Sequence, residues 1–343
     1  MLTDLSLSTA IILTIGCTLV IGVAGTRLAH IVDDLADRTG LGEAIAGAVL
    51  LGLATSLSGL VLSISAALAD HPTLAMSNAL GGIAVQTLFL TIADMVHRRA
   101  NLEHAAASVG NLVQGSLLLC LLALVLVGRF APEWTLWQVH PVTPLLVVVY
   151  LFGLRLADRT KDSPMWRPAQ TRDTQPDIPD DQAATRSLLT LWLSFLGLAL
   201  ALATSGWVLE RAASVIATET GIGQSVVGAL MTAVVTSLPE LVTSVAAVRR
   251  GALTLAVAGI IGGNAFDTLF VAASDVAYRG GSIYHAIPDP VALWVALSLL
   301  MTAILMVGMI HRERQGPGRI GFESVAIAAC YLAGVLSLLF TSG

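Results

Sequence analysis

The chain has 343 residues, 55% of them hydrophobic and 12% charged, and a mean hydropathy of +0.81. A water-soluble chain of this length would sit near or below zero, so the composition is that of a membrane protein and excludes a soluble enzyme, a nucleic-acid binder and a secreted disulfide module. The net charge of -5 comes largely from acidic loops, with no basic tract, and Cys17, Cys120 and Cys330 lie in apolar runs that spell neither a disulfide framework nor a thiolate metal site.

The first apolar run, from about Leu5 to Ala24, follows Asp4 and has no basic n-region, so it reads as an uncleaved span rather than a secretory signal. Apolar stretches bounded by charge, Pro or Gly fall at about 6–29, 41–68, 73–96, 105–127, 141–157, 188–209, 221–248, 252–278, 289–310 and 320–341. Each is about long enough to cross a hydrocarbon layer of ~30 Å, which predicts ten helices. One polar, Pro-rich linker, 158–187, separates five spans in residues 1–157 from five in residues 188–343. With the N-terminus outside, 15 of the 18 Lys and Arg residues fall in inner loops, and only Arg129, Arg211 and Arg279 fall outside. That asymmetry predicts an N-out, C-out topology with the linker in the cytoplasm.

Shifting the sequence by 181 residues lays Thr39–Arg98 over Thr220–Arg279 without a gap, and 23 of 60 positions are identical. TSLSGLVLS (55–63) lies on TSLPELVTS (236–244), and GGIAVQTLF (81–89) on GGNAFDTLF (262–270). Five spans per half is an odd number, so the second copy enters the membrane from the opposite side, giving inverted repeats. The fold class expected is thus an all-α polytopic membrane protein of two inverted five-helix repeats, the layout of secondary transporters whose site sits near the midplane in interrupted helices. The expected interruptions are Ser58-Gly59, Pro239, Gly81-Gly82 and Gly262-Gly263.

Among the acids, Glu240 and Asp267 fall deep inside spans, where a carboxylate costs at least ~2.5 kcal/mol on insertion scales and is functional by default. On straight ideal helices they would lie about 15 Å and 24 Å deep, so helix breaks are needed to bring them together. The donors around them are all oxygen: Thr55, Ser56, Thr236, Ser237, Gln86 and Asn264. Such a set favours Na+, Ca2+, Mg2+ or Mn2+ over Zn2+ or Cu. Glu43, Asp94 and Asp275 read as solvated caps at span ends, with a vestibule role left open for the last two. His71, His97, His104, His140 and His285 read as surface residues, and the six tryptophans mostly as interfacial anchors.

TSLPEL (236–241) and GGNAFD (262–267), with TSLSGL and GGIAVQ in the first half, resemble the two alpha repeats of the cation/calcium exchanger superfamily. The match is close in the second half and degraded in the first. The resemblance implies an antiporter whose ion site is formed by spans 2, 3, 7 and 8, while spans 1 and 6 slide across that core. It assigns ion ligands to Thr236, Ser237, Glu240 and Asp267, with Thr55 and Ser56 as second-span hydroxyls and Gln86 in place of the third-span Asn. Two departures stand out: the family's second-span glutamate falls on Gly59, and the hydroxyl expected ahead of each amide or acid falls on Gly82 and Gly263. With at most two negative charges, the site would not follow a three-sodium-for-one-calcium pattern.

The function expected is a secondary cation antiporter exchanging Ca2+ or a similar hard cation for Na+ or H+. The alternative is a non-transporting or regulatory membrane protein that keeps the exchanger fold. No HExxH and no Ser/His pair at depth speaks for an enzyme. No cofactor is read; the partners expected are inorganic cations and the lipid bilayer, with no nucleic acid. A single lysine in an Ala/Arg-rich chain suggests a GC-rich prokaryote and its cytoplasmic membrane.

Overall fold

A computed structural model describes residues 5–39, 46–97, 100–162, 166, 168–169, 187–314, 316 and 320–341. Glu43, Arg98, Arg99, Arg319 and most of the 158–187 linker lie outside the described residues. Among the described residues, helix accounts for every element longer than a bridge: α1 (Leu7–Thr39), α2 (Ala46–Leu68), α3 (Pro72–Val96), α4 (Leu102–Ala106), α5 (Val109–Phe130) and α6 (Val142–Asp162) precede the linker. After it come α7 (Leu188–Thr220), α8 (Gln224–Val226), a π-helical turn (Val227–Thr232), α9 (Ala233–Thr236), α10 (Leu238–Arg250), α11 (Leu253–Ala277), α12 (Ile283–Ala286), α13 (Asp289–His311) and α14 (Phe322–Thr341).

The chain is a multi-pass membrane protein. Seven unbroken helices among the described residues are long and apolar enough to cross a bilayer, and an eighth span is the pair Gln224–Thr236 and Leu238–Arg250, bent by 45°. Two of the ten expected spans are weaker by that measure. The apolar part of α2 with described side chains is only Ala54–Leu68, and α6 ends in charge, with Arg155, Asp158, Arg159, Lys161 and Asp162.

The element bounds recur at the shift read from the sequence. Leu7–Thr39 and Leu188–Thr220 are both 33 residues long and begin 181 residues apart (188 − 7), and Pro72–Val96 and Leu253–Ala277 are both 25 residues long and do the same (253 − 72). Close contacts recur with them. Gly25 on α1 faces Pro239, and Gly206 on α7 faces the backbone of Ser58; the partners again differ by 181 (206 − 25 and 239 − 58). In both cases the absent side chain is what lets the long helix lie against α10 or α2, since a Cβ would overlap the neighbour.

Of the expected interruptions, only one is a break. Pro239 carries no N–H to continue the helical ladder, and the chain bends at Ser237, whose φ of −94° and ψ of 5° are not helical. The π-helical turn directly before it adds a second irregularity to the same span. By contrast, α2 runs unbroken through Ser58-Gly59, α3 through Gly81-Gly82 and α11 through Gly262-Gly263. The Gly81 site serves packing instead: a Cβ there would stand 2.6 Å from the Ala229 backbone, so α3 and the π-helical turn lie in backbone contact.

The core is continuous across α3, α5, α11 and α13, with Trp294 and Tyr284 among its largest fully buried side chains. Trp294 therefore packs inside, against Tyr331, rather than anchoring at an interface. Helices α1 and α7 lie along each other outside this core and turn Ile12, Ile15, Leu19, Leu189, Leu193 and Leu200 outward, as a lipid-facing surface requires.

Candidate cation site

Where α2, α3, the α9–α10 break and α11 converge, a narrow cavity holds about one water-sized particle. Ser56, Gly59, Asn78, Gly82, Gln86, Thr236, Ser237, Glu240, Asp267 and Phe270 line it. Of the eight ligands named from the sequence, Ser56, Gln86, Thr236, Ser237, Glu240 and Asp267 are thus brought to one cavity. The expected gap in depth between the two acids closes because the bend at Ser237 redirects α10, placing Glu240 in its first turn and at the cavity.

Two residues of the expected set stand apart. Asn264 is buried outside the cavity lining; its Nδ2 donates to Thr87 Oγ1 at 2.9 Å and its Oδ1 has no hydrogen-bond partner. Thr55 bonds the Gly52 carbonyl at 3.3 Å and also reaches the Glu240 carboxylate from behind the lining. Asn78 and Phe270 are members that sequence reasoning missed. Asn78 donates to the Gly59 carbonyl (3.2 Å) and to Ser63 Oγ (3.0 Å), and it accepts from Thr232 (2.9 Å), tying α2, α3 and the π-helical turn together. A buried Asn in the third span was available as a signal; an apolar Phe gave none.

Hydrogen bonds within the site join corresponding positions of the two halves. Gln86 Nε2 donates to Asp267 Oδ2 at 2.6 Å, and these two residues are 181 apart. The same nitrogen reaches Ser237 Oγ at 3.2 Å, while Ser56, its counterpart (237 − 181), bonds both Glu240 (3.4 Å) and Asp267. One oxygen of each acid and of the amide is left over: Glu240 Oε2, Asp267 Oδ1 and Gln86 Oε1 are buried with no hydrogen-bond partner. A buried unpaired acceptor costs ~1–3 kcal/mol, more when charged, so three in one cavity mark a place meant for a donor or a cation.

Gly59, the position of the resembled family's missing acid, borders the cavity. A Cβ there would meet Phe270 Cε2 at 3.0 Å and Thr236 Oγ1 at 3.4 Å, so the Phe270 ring fills the space a longer side chain would take. Gly82 and Gly263 open the site to their neighbours: a Cβ would stand 3.7 Å from Ser237 Oγ in the first case and 3.5 Å from Gln86 Oε1 in the second.

Asp94 and Asp275 overturn their reading as solvated caps. Both are at most 1% exposed. Asp94 accepts from the Leu102 N–H (2.7 Å), the Gly321 N–H (3.3 Å) and Ser324 Oγ (3.0 Å). Asp275 accepts from the Ile283 N–H (3.0 Å), the His140 N–H (2.8 Å) and Thr143 Oγ1 (2.6 Å). Every partner in one clasp is 181 residues from its counterpart in the other (283 − 102, 321 − 140, 324 − 143). His104 and His140 are likewise buried, not surface residues; His104 Nδ1 bonds the Arg312 carbonyl at 2.7 Å.

A helical membrane bundle with an enclosed, carboxylate-bearing oxygen cavity at its centre belongs, as a class, with the cation exchangers. A solved H+/Ca2+ exchanger, CAX, superposes with a TM-score of 0.65 over 97% of this chain and 88% of its own, at 13% identity. The sodium-calcium exchanger NCX_Mj, soaked with Na+ and Sr2+, superposes with a TM-score of 0.60 over 95% and 98%, at 16% identity. The inner membrane protein YrbG of Escherichia coli (strain K12) is 28% identical over 317 residues, 91% of each chain. The model of the sodium/calcium exchanger protein family matches residues 9–156 and 189–340, and the chain belongs to that family. Its members are secondary transporters, cation exchangers rather than enzymes.

Proposed function

We propose that the chain is an antiporter of the cytoplasmic membrane that exchanges Ca2+, or a similar hard cation, for Na+ or H+ by alternating access. The transported ion sits in the Ser56–Gln86–Thr236–Ser237–Glu240–Asp267 cavity. The observation that carries this reading is the set of unpartnered buried oxygens, Glu240 Oε2, Asp267 Oδ1 and Gln86 Oε1, in one enclosed space. Oxygen donors of this kind suit a hard cation.

The recurrence of helix bounds and hydrogen bonds at 181 residues supports two inverted five-helix repeats, with α2 and α6 completing ten spans. The basic-residue asymmetry supports N-out and C-out. Helices α1 and α7 touch the core at Gly25 and Gly206, where small surfaces let the pair slide across α2 and α10.

Charge sets the stoichiometry. Glu240 and Asp267 together supply −2, which one divalent ion or two monovalent ions neutralise, while three sodium ions would leave +1 at low dielectric. Exchange is therefore one Ca2+ against two monovalent cations. Calcium uptake into inverted vesicles under an imposed Na+ or H+ gradient tests the reading. Wild type takes up calcium and Glu240→Gln does not; if the variant transports as well as wild type, the site is wrong. If neither gradient drives uptake and no cation binds, the chain is a non-transporting relative.

A further inference from the structure

A second group of buried acids lies away from the cation cavity, where α3, α4 and α14 meet. Asp94, Glu103 and Glu323 are each at most 1% exposed. Asp94 is served by the three donors described above. Glu103 and Glu323 draw no such donors from other segments: all four of their carboxyl oxygens are enclosed, with no well-formed hydrogen bond from another described residue. The two carboxyl groups instead face each other within hydrogen-bonding reach. Besides burial, the groups acting most strongly on Glu103 are acids, Asp94 and then Glu323.

Other titratable groups among the described residues surround the three acids. Glu313 adds negative charge near Glu323, and His97 acts on Asp94. On α4, His104 is engaged with the Arg312 carbonyl, and Arg312 donates to the carbonyls of Ala169 and His104. On α13, His311 packs on the Phe322 ring.

The opposite end of the bundle shows what the clasp needs in order to fold. There Asp275 holds the same three bonds, and the positions matching Glu103 and Glu323 are Tyr284 (103 + 181) and Val142 (323 − 181). Tyr284 pairs with Thr143 at 2.9 Å, a neutral hydrogen bond. A neutral arrangement thus suffices for the architecture, and the acid pair is an addition.

Two ionised carboxylates in contact and enclosed, with no cation bonded to them among the described residues, repel too strongly to persist; a single proton between them turns repulsion into a hydrogen bond. We propose that Glu103 and Glu323 form a proton-binding site that locks α4 to the start of α14 when protonated and releases it when the proton leaves. Helix α4 also packs on α11, the span bearing Asp267, and Asn111 at the start of α5 donates to the Thr254 carbonyl of α11 at 3.3 Å. Release at α4 is thereby transmitted toward the cation site, and pH at that end of the bundle regulates transport.

Burial and the neighbouring acids hold the Glu103 carboxyl well above the usual carboxylate range. The folded protein then keeps a proton that the unfolded chain has already released, so stability falls as pH rises through the raised value. The test uses the purified full-length protein, wild type and Glu103→Gln/Glu323→Gln, followed by infrared difference spectra and thermal unfolding across pH. The wild type should show a protonated carboxylic-acid band that disappears at alkaline pH, with a melting temperature several degrees lower there. The double variant should lack that band and that part of the pH dependence, and it should transport at acid pH like wild type. Glu103→Gln alone, which keeps an amide donor for Glu323, serves if the double variant does not fold. An unchanged band and unchanged pH dependence would overturn the proposal. So would a Ca2+ or Mn2+ site that survives Glu240→Gln and is lost in the double variant, because the occupant would then be a metal.

Discussion

Residues 46–68 and 227–249 hold corresponding places in the two halves, yet they reach the cavity differently. The first is one continuous helix with Gly59 at the cavity; the second bends by 45° ahead of Pro239 and delivers Glu240. Across from them, α3 contributes the neutral Gln86 where α11 contributes Asp267, and the two are bonded to each other. The lesson is that segments matched at a 181-residue shift can contribute unequally to one cavity: the second supplies both charges and the break, and the first supplies a hydroxyl, an amide and a flat glycine surface. Phe270 then occupies what would be the first half's acid position.

That inequality can be broken deliberately. The largest effect is expected from removing charge in the second half: Glu240→Gln or Asp267→Asn should cut vesicle calcium transport by more than ~100-fold, beyond the ~10–100-fold typical of losing a supporting partner. Gln86→Ala, in the first half, should cost only within that ~10–100-fold range in cation affinity measured by calorimetry, because it removes the donor that orients Asp267 and Ser237 but no charge. Glycine packing should be just as unequal. Gly81→Ala places a Cβ 2.6 Å from the Ala229 backbone and should destabilise the fold by about 1–3 kcal/mol. Gly262→Ala, whose Cβ would stand 3.6 Å from Gln114 Oε1, should stay within about 0.5 kcal/mol in the same thermal unfolding assay. A modest effect falls at the neutral clasp: Tyr284→Phe should cost about 0.5–1.5 kcal/mol for its bond to Thr143, with no dependence on pH, in contrast to the Glu103 variants.

Most of the cavity's lining was legible because it is polar against an apolar background, so Glu240, Asp267, Gln86, Ser56, Thr236 and Ser237 stood out inside spans. The repeat itself was legible from identity over 39–98 and 220–279, and the structural correspondence extends well beyond it, from Gly25/Gly206 to Thr143/Ser324. What was not legible depended on packing between distant segments. Asp94 and Asp275 sit at span ends in the sequence, and only the short helices α4 and α12 folding over them make them buried. Gly-Gly pairs signal freedom, yet the helices run unbroken through them and Gly81 marks a close helix contact, while Asn264 lies beside the motif but bonds to Thr87 of α3. Phe270 has no polar atom to announce it.

The central claim is that the cavity holds two negative charges and no more. Measuring the charge moved per transport cycle in proteoliposomes with set ion gradients tests it most directly. Electroneutral exchange, with no current and no reversal potential, is the predicted result; a current that reverses at the potential for three sodium ions per calcium ion would contradict it.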